Sequence, residues 1–202
     1  MTTKDRILQQ ALALFNEHSC DQISSLQISQ SLKISYGNLT YHFKNKEAIV
    51  LALYHQLQAE MNSEFSYLIN LLYQRRFILA DIRRFFEISW KYRFVYFNLS
   101  SLMVQFKEIR MAEKDNSKKR HDILNRLKGD LIAEGYIRQE EFIDYQYSLH
   151  SLSLLFHSWI TDGHLVFGFN QTKAITYYCD LFINMMVPLL TPKGVTRFKE
   201  LS

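Results

Sequence analysis

No proline occurs before Pro188 in this 202-residue chain, and Pro188 and Pro192 are its only two. Sheet-rich and loop-rich folds place proline at edges, bulges and turns, whereas a helix interior excludes it. With only 6 glycines as further breakers, the chain reads as all-α. Apolar residues make up 48% and charged residues 22%, which excludes a disordered or fibrous polymer and gives enough core to fold without a disulfide or metal staple.

Hydrophobic periodicity places the helices. The stripe Ile7, Leu8, Ala11, Leu12, Phe15 marks the first, with Thr3 as the expected N-cap and an end before the polar stretch 18–22. Ser24 and Gln27 have capping-box spacing and open a two-turn second helix edged by Ile28 and Leu32. After the tight break Lys33-Ile34-Ser35, a third short helix runs from Tyr36 to about Phe43, with Ser35 as its cap. A fourth, with Ile49, Leu53, Leu57 and Met61 along one edge, meets no Gly or Pro before about Tyr73 and is expected over about 46–73 as a rigid bridge. Further helices are expected near 77–92, 95–110, 115–134, 139–162 and 172–190. The separators are the polar run 113–119, Gly135-Tyr136 and the loop 163–170.

The net charge of +4 is unevenly spread. Residues 1–74 sum to −1, residues 75–128 to +8 and residues 129–202 to −3. Basic chains favour anionic partners, nucleic acid among them. Between Lys33 and Lys46 the local sum is +3.

That short basic segment runs from the turn through the third helix to the start of the fourth, and the second and third helices make a helix-turn-helix by length and spacing. A major groove about 12 Å wide admits one helix, whose first turns must carry side chains that reach base edges. Leu39 and Phe43 are i, i+4 core partners, which leaves Tyr36, Gly37, Asn38, Thr40 and Tyr41 on other faces. Gly37 permits close backbone approach, while Asn38 and Thr40 donate and accept. Lys33, Lys44 and Lys46 sit at the margins, where phosphates would lie. The alternatives are a partly buried Tyr41-His42 aromatic pair and a merely solvated helix start at Lys44 and Lys46.

The run Ser35-Tyr36-Gly37-Asn38-Leu39-Thr40-Tyr41-His42-Phe43-Lys44-Asn45-Lys46-Glu47 resembles the DNA-binding region of the TetR family of bacterial repressors. That family's pattern is Ser-x-Gly-x-Leu-Tyr-x-His/Tyr-Phe-x-x-Lys-x-x-Leu. The resemblance implies that Tyr36, Gly37, Asn38 and Thr40 face bases or the adjoining backbone, that Tyr41, His42 and Lys46 hold phosphates, and that Ser25 and Gln27 touch the flanking backbone. Two positions depart from the pattern: Thr40 stands where a tyrosine is usual, and Lys33 where the turn usually has glycine, which asks a lysine to bear an unusual φ. The resemblance implies a DNA-binding domain over 1–47 and a regulatory and dimerisation domain over 48–202. It also implies a double-stranded operator, a second copy of the chain and a small effector as partners; the aromatic residues point to a hydrophobic effector, and the +8 charge of residues 75–128 points to an anionic one or equally to a solvated basic surface.

The remainder supports a helical bundle. Leu152, Leu154, Leu155, Phe156, Trp159 and Ile160, followed by Ile175, Tyr178, Leu181, Phe182, Met185 and Met186, are apolar on nearly every face, as in helices covered on both sides. Leu152, Phe156, Trp159, Leu181, Phe182 and Met185 are the expected dimer residues, with one buried helix in a monomer as the alternative. Trp90, Phe94, Phe97, Phe106 and Tyr147 are candidates for an effector pocket, and large core side chains are the alternative for each. His150, His157 and His164 recur every seven residues, roughly 10 Å apart along a helix, too far to share one metal ion.

No glycine-rich phosphate loop, nucleophile elbow or zinc-protease motif is present, so neither enzyme nor cofactor is expected. Two cysteines far apart, Cys20 and Cys179, read as free thiols of a cytoplasmic protein. The first residues carry no signal-peptide core, and Asp180 and Asn184 interrupt the most apolar stretch, so no membrane partner is expected. The sequence reading is a sequence-specific, ligand-responsive homodimeric repressor on a pseudo-palindromic site. Its rival is a helical small-molecule-binding or interaction protein without specific DNA binding.

Overall fold

A computed structural model of the chain describes residues 1–139 and 145–199. Among them, eleven α-helices follow one another: α1 Thr3–His18, α2 Ser25–Ser31, α3 Tyr36–His42, α4 Lys46–Tyr73, α5 Arg83–Lys91, α6 Arg93–Phe97, α7 Leu99–Gln105, α8 Lys107–Ala133, α9 Tyr145–Phe167, α10 Gln171–Met186 and α11 Pro192–Lys199. The single β-type contact among the described residues is the isolated antiparallel bridge between Ile137 and Leu190.

The first three helices are set by their caps. Thr2, one residue before the expected Thr3, caps α1, and its capping box with Asp5 satisfies two end groups at once. Ser24 with Gln27 does the same for α2, and the Ser35 side chain accepts from Asn38 N–H at α3. Ile7, Leu8, Ala11 and Phe15 then meet Ile28, Leu39, Phe43, Ile49, Val50 and Leu53 in a buried cluster. Neither α2 nor α3, at seven residues each, would hold alone, because helices under about 12–15 residues are marginal in water.

At 28 residues, α4 runs from this cluster into the second part of the chain and buries Leu57, Met61 and Leu68 there. In that part, Phe86, Trp90, Phe156, Trp159, Tyr178 and Phe182 stack ring against ring with centroids 5.0–6.0 Å apart. Gly163 lies where α9 packs on α10: a Cβ there would stand 3.0 Å from the Tyr178 ring, so a larger residue would make the ring give way by a few tenths of an ångström.

Three expected boundaries are corrected. The polar run 113–119 is no separator: it lies inside the 27-residue α8, which starts at Lys107. Polar residues alone do not end a helix when caps and breakers are missing. The expected loop 163–170 is helical through Phe167. The expected helix over 95–110 is instead broken at Asn98 and Phe106. The helix expected over 139–162 includes 140–144, which lie outside the described residues. α11 had no counterpart in the sequence reading.

Candidate functional site

The exposed side of α2 and α3 is built by what the other side buries. Leu39 and Phe43 are buried, which turns Gly37, Asn38 and Tyr41 outward on the opposite arc. Tyr41 is 86% exposed although its ring meets His42 edge-on at 5.2 Å. The partly buried aromatic pair is thereby excluded for Tyr41, while His42 is half-buried. Tyr36 and Asn38 are exposed and Thr40 is half-buried. The Thr40 hydroxyl donates to Gly37 O at 3.1 Å, which leaves its lone pairs outward-facing. A Cβ on Gly37 would meet only Ser35 Oγ, at 4.0 Å. Packing within the chain does not require glycine there, so the bare backbone is available to a partner from outside.

The flanks are more committed. Gln27 Oε1 accepts from both Ser24 N and Ser24 Oγ, at 2.8 and 3.0 Å, leaving its amide N–H groups to donate, and Ser25 beside it is half-buried. Lys33 is exposed and holds φ +55° in the turn between α2 and α3. Around it, Lys33 N donates to Gln30 O and Ile34 N to Ser29 O, both at 3.0 Å. The turn thus keeps its shape and puts a lysine in the left-handed region, at a cost of roughly 1–2 kcal/mol. Lys44 is exposed. Lys46 is half-buried, and its ammonium donates to Cys20 O at 3.0 Å, tying the start of α4 to the α1–α2 corner. It keeps two further N–H donors beside the N-terminus of α4, where unpaired backbone amides favour an anion. Burial pushes the Cys20 and Cys179 thiols up to about 11, so both are unreactive.

The aromatic candidates of the second part do not share one lining. Trp90 stacks on Trp159, Phe94 on Phe15, and Phe97 on His164. Phe106 is half-buried at the start of α8, and Tyr147 is 70% exposed. Of the expected dimer residues, Trp159 and Phe182 belong to the core of the single chain, and Leu152, Phe156, Leu181 and Met185 are half-buried. The expected dimer set left out the exposed apolar residues of the same helices: Leu154, Leu165 and Val166 on α9, Phe169 just after it and Tyr177 on α10. Their helical spacing was legible, but not which side faced out.

Sequence reasoning also missed a polar cluster between α4, α8 and α9, partly open to solvent at His157. Glu113 of α8 accepts from Tyr54 Oη and Gln58 Nε2 of α4, each at 2.8 Å, and lies 3.9 Å from His157 Nε2 of α9. Asn116 Nδ2 donates to Gln58 Oε1 at 2.8 Å. His157 Nδ1 is 2.7 Å from Ser153 O. The contact with Ser153 O is a hydrogen bond, whereas 3.9 Å to Glu113 is an ion-pair distance, at which the carboxylate favours the charged imidazolium. The contact with Glu113 raises the His157 pKa above its ordinary value, against burial and Arg120. Burial pushes the Glu113 carboxyl up, but the neighbouring His157 and donation from Tyr54 outweigh it and leave the group below its ordinary range. Among the described residues no helix is long and apolar enough to cross a membrane.

A family model described as bacterial regulatory proteins of the tetR family matches residues 7–53, and one described as a bacterial transcriptional repressor, TetR, matches residues 79–198. A TetR-family transcriptional regulator from Marinobacter aquaeolei is similar over 100% of this chain and 97% of its own, at 24% identity and a TM-score of 0.80. The ketosteroid transcriptional regulator KstR2 of Mycobacterium tuberculosis is similar over 94% and 96%, at 17% identity and a TM-score of 0.67. A Saccharomonospora viridis protein solved in complex with choline is similar over 93% and 97%, at 16% identity and a TM-score of 0.66. No curated protein matches.

Two outcomes follow from this geometry. Lys33→Gly relieves the left-handed strain, offset in part by glycine's greater freedom when unfolded, and is expected to stabilise by about 0.5–1 kcal/mol, or roughly 1–4 °C in Tm. A calorimetric scan showing a lower Tm would contradict the strain argument. The raised His157 pKa means its pairing with Glu113 stabilises fully below the ordinary imidazole value of about 6.5 and fades as pH rises through the native one. Glu113's own contribution holds above the carboxylate range and is lost only on acidification. Denaturant titrations from pH 5 to 9 should show His157→Gln costing most near pH 5–6 and least at pH 9. A pH-independent cost would show that the pair does not titrate as described.

Proposed function

The chain belongs to the TetR family of bacterial transcriptional repressors, and on that premise we propose that it acts as a homodimer whose two α3 helices read successive major grooves of a pseudo-palindromic operator. The observation that carries this reading is the outward arc of α3: exposed Tyr36, Asn38 and Tyr41 around a glycine that the chain's own packing does not need. In this reading residues 1–47 form the DNA-reading unit, and 48–202 form the regulatory and dimerising one. Tyr36, Gly37, Asn38 and Thr40 address bases, while Tyr41, His42, Lys44 and Lys46 address phosphates. Lys33, Ser25 and Gln27 lie along the flanking backbone. Lys46 then has two tasks, since its ammonium also fastens the α1–α2 corner.

The dimer face is the α9–α10 pair. Leu154, Leu165 and Tyr177 are exposed and apolar, with Leu181 and Met185 partly exposed beside them. Exposed apolar side chains on a helix pair are what an interface would cover, and a two-fold pairing of two helices makes a four-helix contact.

The regulator answers to a small molecule with an apolar body. Of the fourteen basic residues of the middle third, Lys107, Arg110, Lys114, Lys118, Lys119 and Arg126 lie exposed along α8, and these mark a solvated face. Inside the bundle stands the Glu113 carboxylate, so a ligand that reaches it gains more from a donor or cationic head. Binding that favours a differently spaced dimer withdraws the DNA-competent population.

Selection of bound DNA from a random pool tests the function, and a recovered site with two inverted half-sites about 10 bp apart is the expected result. Folded protein that enriches no sequence would overturn the DNA-binding proposal. On the recovered site, Lys44→Gln should weaken binding and make the salt dependence shallower by about one phosphate contact. In solution the protein should run at twice its 24.1 kDa chain mass, and Leu154→Arg should shift it to the monomer. A wild-type monomer at micromolar concentration would remove the dimer.

A further inference from the structure

The break between α5 and α6 has no cause in its own sequence. No Gly or Pro occurs between Leu79 and Gln105, and Tyr92 at the break has φ −109° and ψ 31°, which needs neither. A helix interruption strands carbonyls at the end of one helix and N–H groups at the start of the next. Here one of each is taken up by a single side chain from the other end of the chain. Asn16 of α1 donates from Nδ2 to Lys91 O at 2.8 Å, and its Oδ1 accepts from Phe94 N at 3.1 Å. A carboxamide is the short side chain that does both: an aspartate would accept from Phe94 but repel the Lys91 carbonyl.

The same break is held from a second direction. Glu60 Oε1 of α4 accepts from Tyr92 Oη and from Lys91 Nζ, each at 2.6 Å. Tyr92 is almost fully buried. Next to Asn16, Phe15 packs against Phe94 with ring centroids 5.3 Å apart, and one turn further on Asn98 donates to Phe94 O at 2.7 Å. On its other side the segment enters the bundle, with Trp90 on Trp159 and Phe86 on Phe156. One short kinked segment is therefore bonded to the helix that packs on α2, to the long helix that carries on from α3, and to the aromatic interior.

We propose that Asn16 is a positioning residue for operator recognition: by bridging the α5–α6 break it fixes the angle at which the DNA-reading unit is carried on the bundle, and so sets the spacing between the two α3 helices of the dimer. This rests on the dimeric DNA-binding reading above. It gives the amide of Asn16 a role that stability alone does not describe, because α1 could stay folded on α2 and α4 with the bridge undone. Rearrangement around Trp90 and Trp159 reaches α3 through this bridge.

The test uses the full-length protein, the site recovered by selection, and the same site with one or two base pairs inserted between its halves. Wild type should bind the native spacing at least tenfold better than the respaced sites. Asn16→Asp removes the donor while keeping size and acceptor. It should lose about tenfold on the native site and much less on the respaced ones, so that the spacing preference collapses. Amide exchange over residues 91–97 should quicken about tenfold, as the loss of one such hydrogen bond implies. A merely destabilising substitution would lower all sites in the same proportion and leave the ratio between spacings intact. If Asn16→Asp does not fold, Glu60→Gln loosens the break from the α4 side and should reduce the same ratio to a smaller degree. An unchanged ratio in the folded variant overturns the role of Asn16 and leaves the proposed function standing. Wild-type protein that shows no preference between spacings overturns both.

Discussion

Everything in this molecule is referred to α4. A 28-residue helix is about 42 Å long, and this one has two sets of neighbours. Ile49, Val50 and Leu53 complete the core that α1, α2 and α3 cannot close by themselves, while Leu57, Met61 and Leu68 are buried further along. Its polar side chains are equally divided among tasks: Asn45 caps it, Lys46 holds the α1–α2 corner, Tyr54 and Gln58 meet Glu113, and Glu60 takes Tyr92 and Lys91. Because the two sets of contacts share one uninterrupted hydrogen-bonded rod, a tilt imposed at one end is felt at the other.

The DNA-reading surface depends on that arrangement through subtraction. Leu39 and Phe43 are spent on the core and Ser35 on the cap, so whatever remains on α3 is free for a partner. What remains is a bare glycine flanked by an amide and two phenols, with lysines at the edges. The lysine in the α2–α3 turn fits the same economy. Its left-handed φ costs stability, yet the turn keeps its hydrogen bonds, and the strain brings a cation to the flank.

The first 73 residues were legible in the sequence because local rules govern them. Ser24, Ser35 and Asn45 each cap a helix through a side chain that accepts from the backbone N–H three residues on, and the apolar spacing on either side agrees. Beyond residue 75 the determinants are remote. The breaks at Tyr92 and Asn98 contain no breaker residue, and the first is held by Asn16, 75 residues earlier than Lys91. The run 113–119 was read as a separator because it is polar throughout. In fact Glu113 and Asn116 turn toward α4. Trp159 and Phe182 read as interface residues for the same reason: periodicity shows that a helix face is apolar, not whether the chain itself or a second copy covers it.

The central claim is geometric: two α3 helices, carried by two copies of α4, stand one turn of DNA apart. Hydroxyl-radical footprinting on the selected site reads this directly. Two protected patches on one face of the duplex, centred about 10–10.5 bp apart, are the predicted result. A single protected patch, or two at any other helical phase, would contradict it.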